Sequence, residues 1–134
     1  MQRRSRVIID TNLWVSFLLT KDFSRLDAII SDITLLFSSE LLEEFIVVAT
    51  RPKFKKYFSK KDLADLLEVV REYAVFVEVS SKVTGCRDDK DNFLLSLALD
   101  GKADYLVTGD KDLLVIKRFG KTKVVTIAEF FAKR

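Results

Sequence analysis

Hydrophobic positions recur along this chain in two rhythms. Short, nearly continuous apolar runs at residues 6–9, 34–37, 75–79, 105–108 and 123–126 read as β-strands. Between them lie stretches of 10 to 16 residues with helical spacing, for example Leu63, Leu66, Leu67 and Val70. Ser59 followed three residues later by Asp62 forms an N-terminal capping pair for that helix. Pro52 stands near the end of the preceding helix, where the chain must turn. Strands such as VII and YLVT are apolar at successive positions, as strands buried on both faces are. The alternation therefore predicts a three-layer α/β/α sandwich with a mostly parallel sheet of about five strands. With 134 residues and no repeat, low-complexity tract or linker, residues 1–134 are expected to form one domain. In open sheets of this kind ligands bind outside the carboxyl ends of the strands.

Composition narrows the chemistry. Hydrophobic residues are 49%, with 11 Phe, enough to fill a core, and 32% of residues are charged. The chain has no histidine, which excludes a Ser-His-Asp triad, a histidine general base and an H-E-x-x-H zinc site. A single cysteine, Cys86, excludes an intrachain disulfide and fits a reducing compartment. Gly85, Gly101, Gly109 and Gly120 are too scattered for a glycine-rich phosphate loop. No apolar run approaches the roughly 18 residues of a membrane span. Asp10 and Asn12 also interrupt the N-terminal run that could pass for a signal peptide, so a cytoplasmic protein without a membrane partner is expected.

The net charge of +3 conceals a segregation. Arg3, Arg4 and Arg6 at the start, and Arg51, Lys53, Lys55, Lys56, Lys60 and Lys61 within RPKFKKYFSKK, form two stretches free of acids. The other 14 cations face 20 acids, a balance of −6. Such a chain can hold a polyanion with one part and a cation with another, whereas the structural alternative is a solvated basic face. Phe54, Tyr57 and Phe58 alternate with the lysines and serve either as anchors to the core or as platforms for unpaired bases. Trp14 and Phe17, three residues apart on a helix, are expected in the core, with a dimer interface as the alternative.

The acids cluster where strands end. Asp10 closes VIID, and Asp110 and Asp112 follow YLVT; Glu40, Glu43 and Glu44 open the helix after the second strand, and Asp88, Asp89 and Asp91 the helix before the fourth. Each could simply cap a helix, worth about 0.5–2 kcal/mol. Together, on parallel strands, they converge at one edge of the sheet. Two carboxylates 4 Å apart repel by about 4 kcal/mol at an effective dielectric of 20, so convergence calls for a raised pKa, a basic partner or a metal ion. Oxygen ligands select hard cations, Mg²⁺ or Mn²⁺. Helical spacing puts Glu44 at the edge of the apolar face of Leu41, Phe45 and Val48, and Glu43 nearer solvent. Asp91 shares a face with Leu94, Leu95 and Ala98, while Asp88 and Asp89 suit capping.

VIIDTNLWVS, SSELLEEF, DDKDNFLLSLAL and YLVTGDKDLL, followed by VVTIAEFF, resemble in order and spacing the PIN domain (PilT N-terminal domain) family, in its branch of ribonuclease toxins from toxin-antitoxin modules. The resemblance spans Val7 to Phe131. It implies a Mg²⁺- or Mn²⁺-dependent endoribonuclease whose acidic quartet is Asp10, Glu44, Asp91 and Asp110, with Asp112 a further metal position and Asn12 and Thr108 flanking polar residues. The adjacent Glu43 leaves the second position open by one residue. Water would attack in line, leaving a 5′-phosphate and a 3′-hydroxyl. The partners implied are RNA, gripped by Arg51, Lys53, Lys55 and Lys56, an antitoxin protein, and a second copy in a homodimer. Two rival readings remain at this level. A phosphoacceptor signalling domain calls for an acidic pair after the first strand, where this chain has Asp10 followed by Thr11 and Asn12. An inert RNA-binding module on the same scaffold would have no need of the acids.

Overall fold

The computed structural model describes residues 4–21, 23–84 and 91–132. Arg3, Gly85, Cys86, Asp88 and Asp89 therefore lie outside the described residues, and with them the capping expected of Asp88 and Asp89. In chain order the elements are β1 (Ser5–Ile9), α1 (Thr11–Thr20), α2 (Phe23–Ile30), β2 (Ile33–Phe37), α3 (Ser39–Ala49), a 3-10 turn (Pro52–Phe54) and α4 (Lys60–Tyr73). There follow β3 (Ala74–Phe76), α5 (Asn92–Gly101), β4 (Tyr105–Val107), α6 (Lys111–Leu114), β5 (Arg118–Phe119), β6 (Thr122–Val125) and α7 (Ile127–Ala132).

The strands form one sheet in the order β3-β2-β1-β4-β6-β5, parallel except for the antiparallel β5–β6 pair. The sheet thus has six strands, one more than hydrophobic rhythm predicts. The extra strand, Arg118–Phe119, is too short and too charged at its start to register as an apolar run, and it folds back through Gly120, whose φ of +57° suits glycine. The third strand ends at Phe76, short of the expected residue 79, because its neighbour β2 ends at Phe37, opposite Phe76.

Successive side chains of β1 point to opposite faces, and Val7, Ile8 and Ile9 are all buried, so both faces of the sheet are covered. Trp14 of α1 is fully buried; its indole N–H donates to the Ile9 carbonyl at 2.9 Å and its ring meets Phe17, Phe37 and Phe45 at centroid distances of 5.8, 5.4 and 6.1 Å. Trp14 and Phe17 are thus core residues, and they tie α1 to β1, β2 and α3. Ser59 and Asp62 make the expected reciprocal capping box at the start of α4, at 3.1 and 2.9 Å. Among the described residues, no helix is long and apolar enough to cross a membrane.

Candidate metal centre at the strand ends

The first crossovers carry the chain from β1 to β2 and β3 on one side, and α5 then delivers β4 to the other side of β1. The order reverses between β1 and β4, the place beyond the carboxyl ends of the strands where open α/β sheets bind their ligands. Ile9 pairs with Val107, so Asp10 and Thr108 leave the sheet side by side, and the Asp10 N–H still donates to the Val107 carbonyl at 3.0 Å.

Asp10 is buried, 5% exposed, and caps α1: its Oδ1 accepts the Thr11 N–H at 2.6 Å. Its Oδ2 accepts the Thr108 hydroxyl at 2.7 Å. The same Thr108 oxygen accepts the Asp110 N–H at 3.0 Å, and Asp110 Oδ1 accepts the Asp112 N–H at 2.9 Å to cap α6. The helix-capping role is therefore real for both aspartates, and it leaves their second function open.

Glu44 arrives from α3, which packs on α1. It is half-buried, whereas Glu43 beside it is exposed, and Glu44 Oε2 accepts the hydroxyl of the buried Thr11 at 2.5 Å. Burial lifts the Asp10 pKa above the ordinary 3.8; the bonds from Thr108 and Thr11 oppose this, and the charges of Glu44 and Asp110 add to it. Hydrogen bonds through Thr11 and Thr108 link Asp10 to Glu44 and to Asp110. Asp91 occupies the N-cap position of α5, half-buried, with Oδ2 shielded from solvent. Asp112 is half-buried in the first turn of α6, and Asn12 is exposed in the first turn of α1. Among the described residues, no three acids stand close enough to enclose a metal ion in this arrangement. The donor chemistry nevertheless suits one: like charges in an oxygen-only crevice, one of them buried, are relieved by a hard cation.

The residue that sequence reasoning missed is Thr11. Its position within D-T-N was the available signal, but its hydroxyl meets a residue 33 positions away, which depends on how α1 lies on α3.

Arg51, Lys53, Lys55 and Lys56 are all exposed around the 3-10 turn. Their aromatic neighbours divide between the two expected roles. Phe54 and Phe58 stack with centroids 5.9 Å apart and Phe58 is buried, so this pair anchors the segment. Tyr57 is 55% exposed, with the Lys56 ammonium 6.0 Å from its ring. A groove lined by Glu43, Glu44, Val47, Arg51 and Phe93 runs from Glu44 to the first cation of this segment, Arg51.

A model of the PIN domain family matches residues 6–112, a span containing every acid named above. An uncharacterized protein of Methanocaldococcus jannaschii is 28% identical over 117 residues, covering 84% of this chain and 75% of its own length. The crystal structure of VapBC2 from Rickettsia felis bound to a DNA fragment from their promoter matches with a TM-score of 0.55 at 17% identity, over 89% of this chain and 96% of the chain compared. At that identity the likeness is one of fold.

Proposed function

Because the chain belongs to the PIN domain family, we propose that it is an endoribonuclease that hydrolyses RNA phosphodiester bonds with Mg²⁺ or Mn²⁺ held by carboxylates. The observation that carries this reading is the hydrogen-bonded link from Asp10 through Thr11 to Glu44 and through Thr108 to Asp110, at the point where the strand order reverses. Asp10, Glu44, Asp91 and Asp110 are the ligands in this reading, and Asp112 lies beside them. The bound cation supplies Lewis-acid stabilisation of the charge that develops on the phosphodiester. Thr108 holds Asp10 through Oδ2 and holds the Asp110 backbone at the same oxygen, so the two strand ends present their carboxylates together. Asn12, exposed in the first turn of α1, offers an amide two residues beyond Asp10. The chain has no imidazole, so proton transfer from the attacking water falls to carboxylates.

The groove from Glu44 to Arg51 gives the substrate a path. Arg51, Lys53, Lys55 and Lys56 meet the phosphate backbone without reading sequence, and the exposed Tyr57 is available to stack on an unpaired base. The reading takes residues 1–134 as one cytoplasmic domain. The Rickettsia felis match, VapBC2 bound to a DNA fragment from their promoter, supports extending it to a toxin held by an antitoxin protein; a homodimer is a further part of the proposal.

The test is cleavage of a panel of structured and unstructured RNAs with Mg²⁺ or Mn²⁺, comparing wild type with Asp10→Asn. Loss of even an outer-shell partner at a metal site costs about 10- to 100-fold, so the variant should lose at least about 100-fold in rate. Products should carry a 5′-phosphate and a 3′-hydroxyl. Equal activity of the two folded proteins, or a 2′,3′-cyclic phosphate end, would overturn the assignment.

A further inference from the structure

Thr11 makes two hydrogen bonds to two different acids. Its backbone N–H donates to Asp10 Oδ1 at 2.6 Å, and its hydroxyl donates to Glu44 Oε2 at 2.5 Å. Thr11 is 3% exposed, so water does not compete for the hydroxyl. Its β-branched side chain has few rotamers, and as the first residue of α1 it is fixed by a helix whose Trp14 is locked into the core. Glu44 is the opposite kind of residue, a long side chain with considerable rotamer freedom to lose. The stiff partner therefore sets the position of the flexible one.

We infer that Thr11 is a positioning residue: its hydroxyl fixes the Glu44 carboxylate beside the Asp10 end of β1, from where the two acids can close on a divalent cation. The inference rests on the metal-site reading above and adds to it a residue that neither touches substrate nor ligates. A hydroxyl suits this task better than a cationic donor. It contributes one proton to the hydrogen bond and no net charge, so the crevice keeps the negative potential that attracts the metal. With Oε2 held by the hydroxyl, Oε1 of Glu44 is the oxygen left for the cation. Thr11 and Thr108 thereby approach Asp10 from two sides, one linking it to α3 and the other to β4.

The test is Mn²⁺ binding to the full chain, by calorimetry or by the electron paramagnetic resonance signal of the free ion, for wild type, Thr11→Val, Thr11→Ser and Glu44→Gln, each confirmed folded by circular dichroism. Thr11→Val keeps the shape and removes the hydroxyl; it should weaken Mn²⁺ binding by roughly 10- to 100-fold, the usual cost of losing an outer-shell partner. Thr11→Ser, which keeps the hydroxyl and gives up the β-branch, should bind between Thr11→Val and wild type, whereas a purely steric role for the threonine methyl would leave it no tighter than Thr11→Val. In a Glu44→Gln background the further change Thr11→Val should add almost nothing, since the hydroxyl acts through that carboxylate. Wild-type affinity in folded Thr11→Val, or full additivity with Glu44→Gln, overturns the positioning role and leaves the metal site standing. Absence of Mn²⁺ binding to wild type overturns the metal-site reading and this inference together. If Thr11→Val does not fold, the Thr11→Ser and Glu44→Gln titrations decide, with a serine variant as weak as Glu44→Gln counting against the role.

Discussion

The Thr108 hydroxyl donates to Asp10 across the sheet at 2.7 Å while accepting the Asp110 N–H at 3.0 Å, so one buried oxygen joins the ends of two strands whose residues are 98 positions apart. Replacing it with the isosteric valine leaves a buried carboxylate oxygen without its donor, at a cost of about 1–3 kcal/mol. Urea denaturation of Thr108→Val at pH 7 should show that loss. The loss should shrink near pH 3, where Asp10 is protonated in both proteins and no longer needs the bond. A valine variant as stable as wild type at pH 7 would count against the bridge.

Asp10 gives a pH dependence of defined sign. Its folded pKa is raised, chiefly by burial and further by Glu44 and Asp110, so the folded state binds the proton more tightly than the unfolded chain. Its contribution to stability is therefore complete below the ordinary value of 3.8 and is lost as the pH rises through the raised folded value. Asp10→Asn removes the ionisation and keeps a good helix cap. The metal-free variant should melt higher than wild type at pH 7, each kcal/mol of added stability reading as about 4 °C for a chain of this size. The difference should close as the pH falls toward 3.8. Melting curves across this range, recorded with chelator, are the check; a variant that melts lower at pH 7 contradicts the argument.

The capping box at α4 predicts a local effect. Ser59→Ala should cost about 1 kcal/mol. Adding Asp62→Ala should cost less than the sum of the two single changes, because each side chain bonds the backbone of the other. Chemical denaturation of the two single variants and the double variant measures this, and strict additivity would argue against the reciprocal pair.

The exposed lysines predict a salt effect. Charge reversal at Lys55 and Lys56 should weaken RNA binding, and the slope of log affinity against log salt should fall by about 0.7–0.9 for each phosphate that the protein no longer neutralises. Fluorescence anisotropy with a single-stranded RNA at several salt concentrations reads both. Unchanged slope and affinity would remove the basic segment from the substrate path.

Much of the fold is legible in the chain because its strands are buried on both sides. Val7, Ile8 and Ile9 leave no alternative to a covered parallel strand, and the Ser59–Asp62 spacing marks the start of α4. The strand Arg118–Phe119 is not legible, since its pairing comes from the turn at Gly120 rather than from any apolar run. At the crevice, the positions of Asp10 and Asp110 follow from strand ends alone, and helical phase distinguishes the half-buried Glu44 from the exposed Glu43. The bond between Thr11 and Glu44 does not follow, because it records the packing of one helix on another. The aromatic residues of the basic segment show the same limit. Composition makes Phe54, Tyr57 and Phe58 equivalent, and only packing sends two inward and one outward.

The central place of β1 has a consequence for synthesis. The strand is made first, yet one of its two neighbours, β4, is made only after residue 104, and the hydroxyl that holds Asp10 belongs to residue 108. While the chain emerges from the ribosome, β1, β2 and β3 can begin to associate, but the acids at their ends have no counterpart across the crevice. The bridge through the Thr108 hydroxyl forms only when β4 docks beside β1. Asp10, among the first residues made, thus waits for a partner 98 positions later, and the delay is written into the order of the strands.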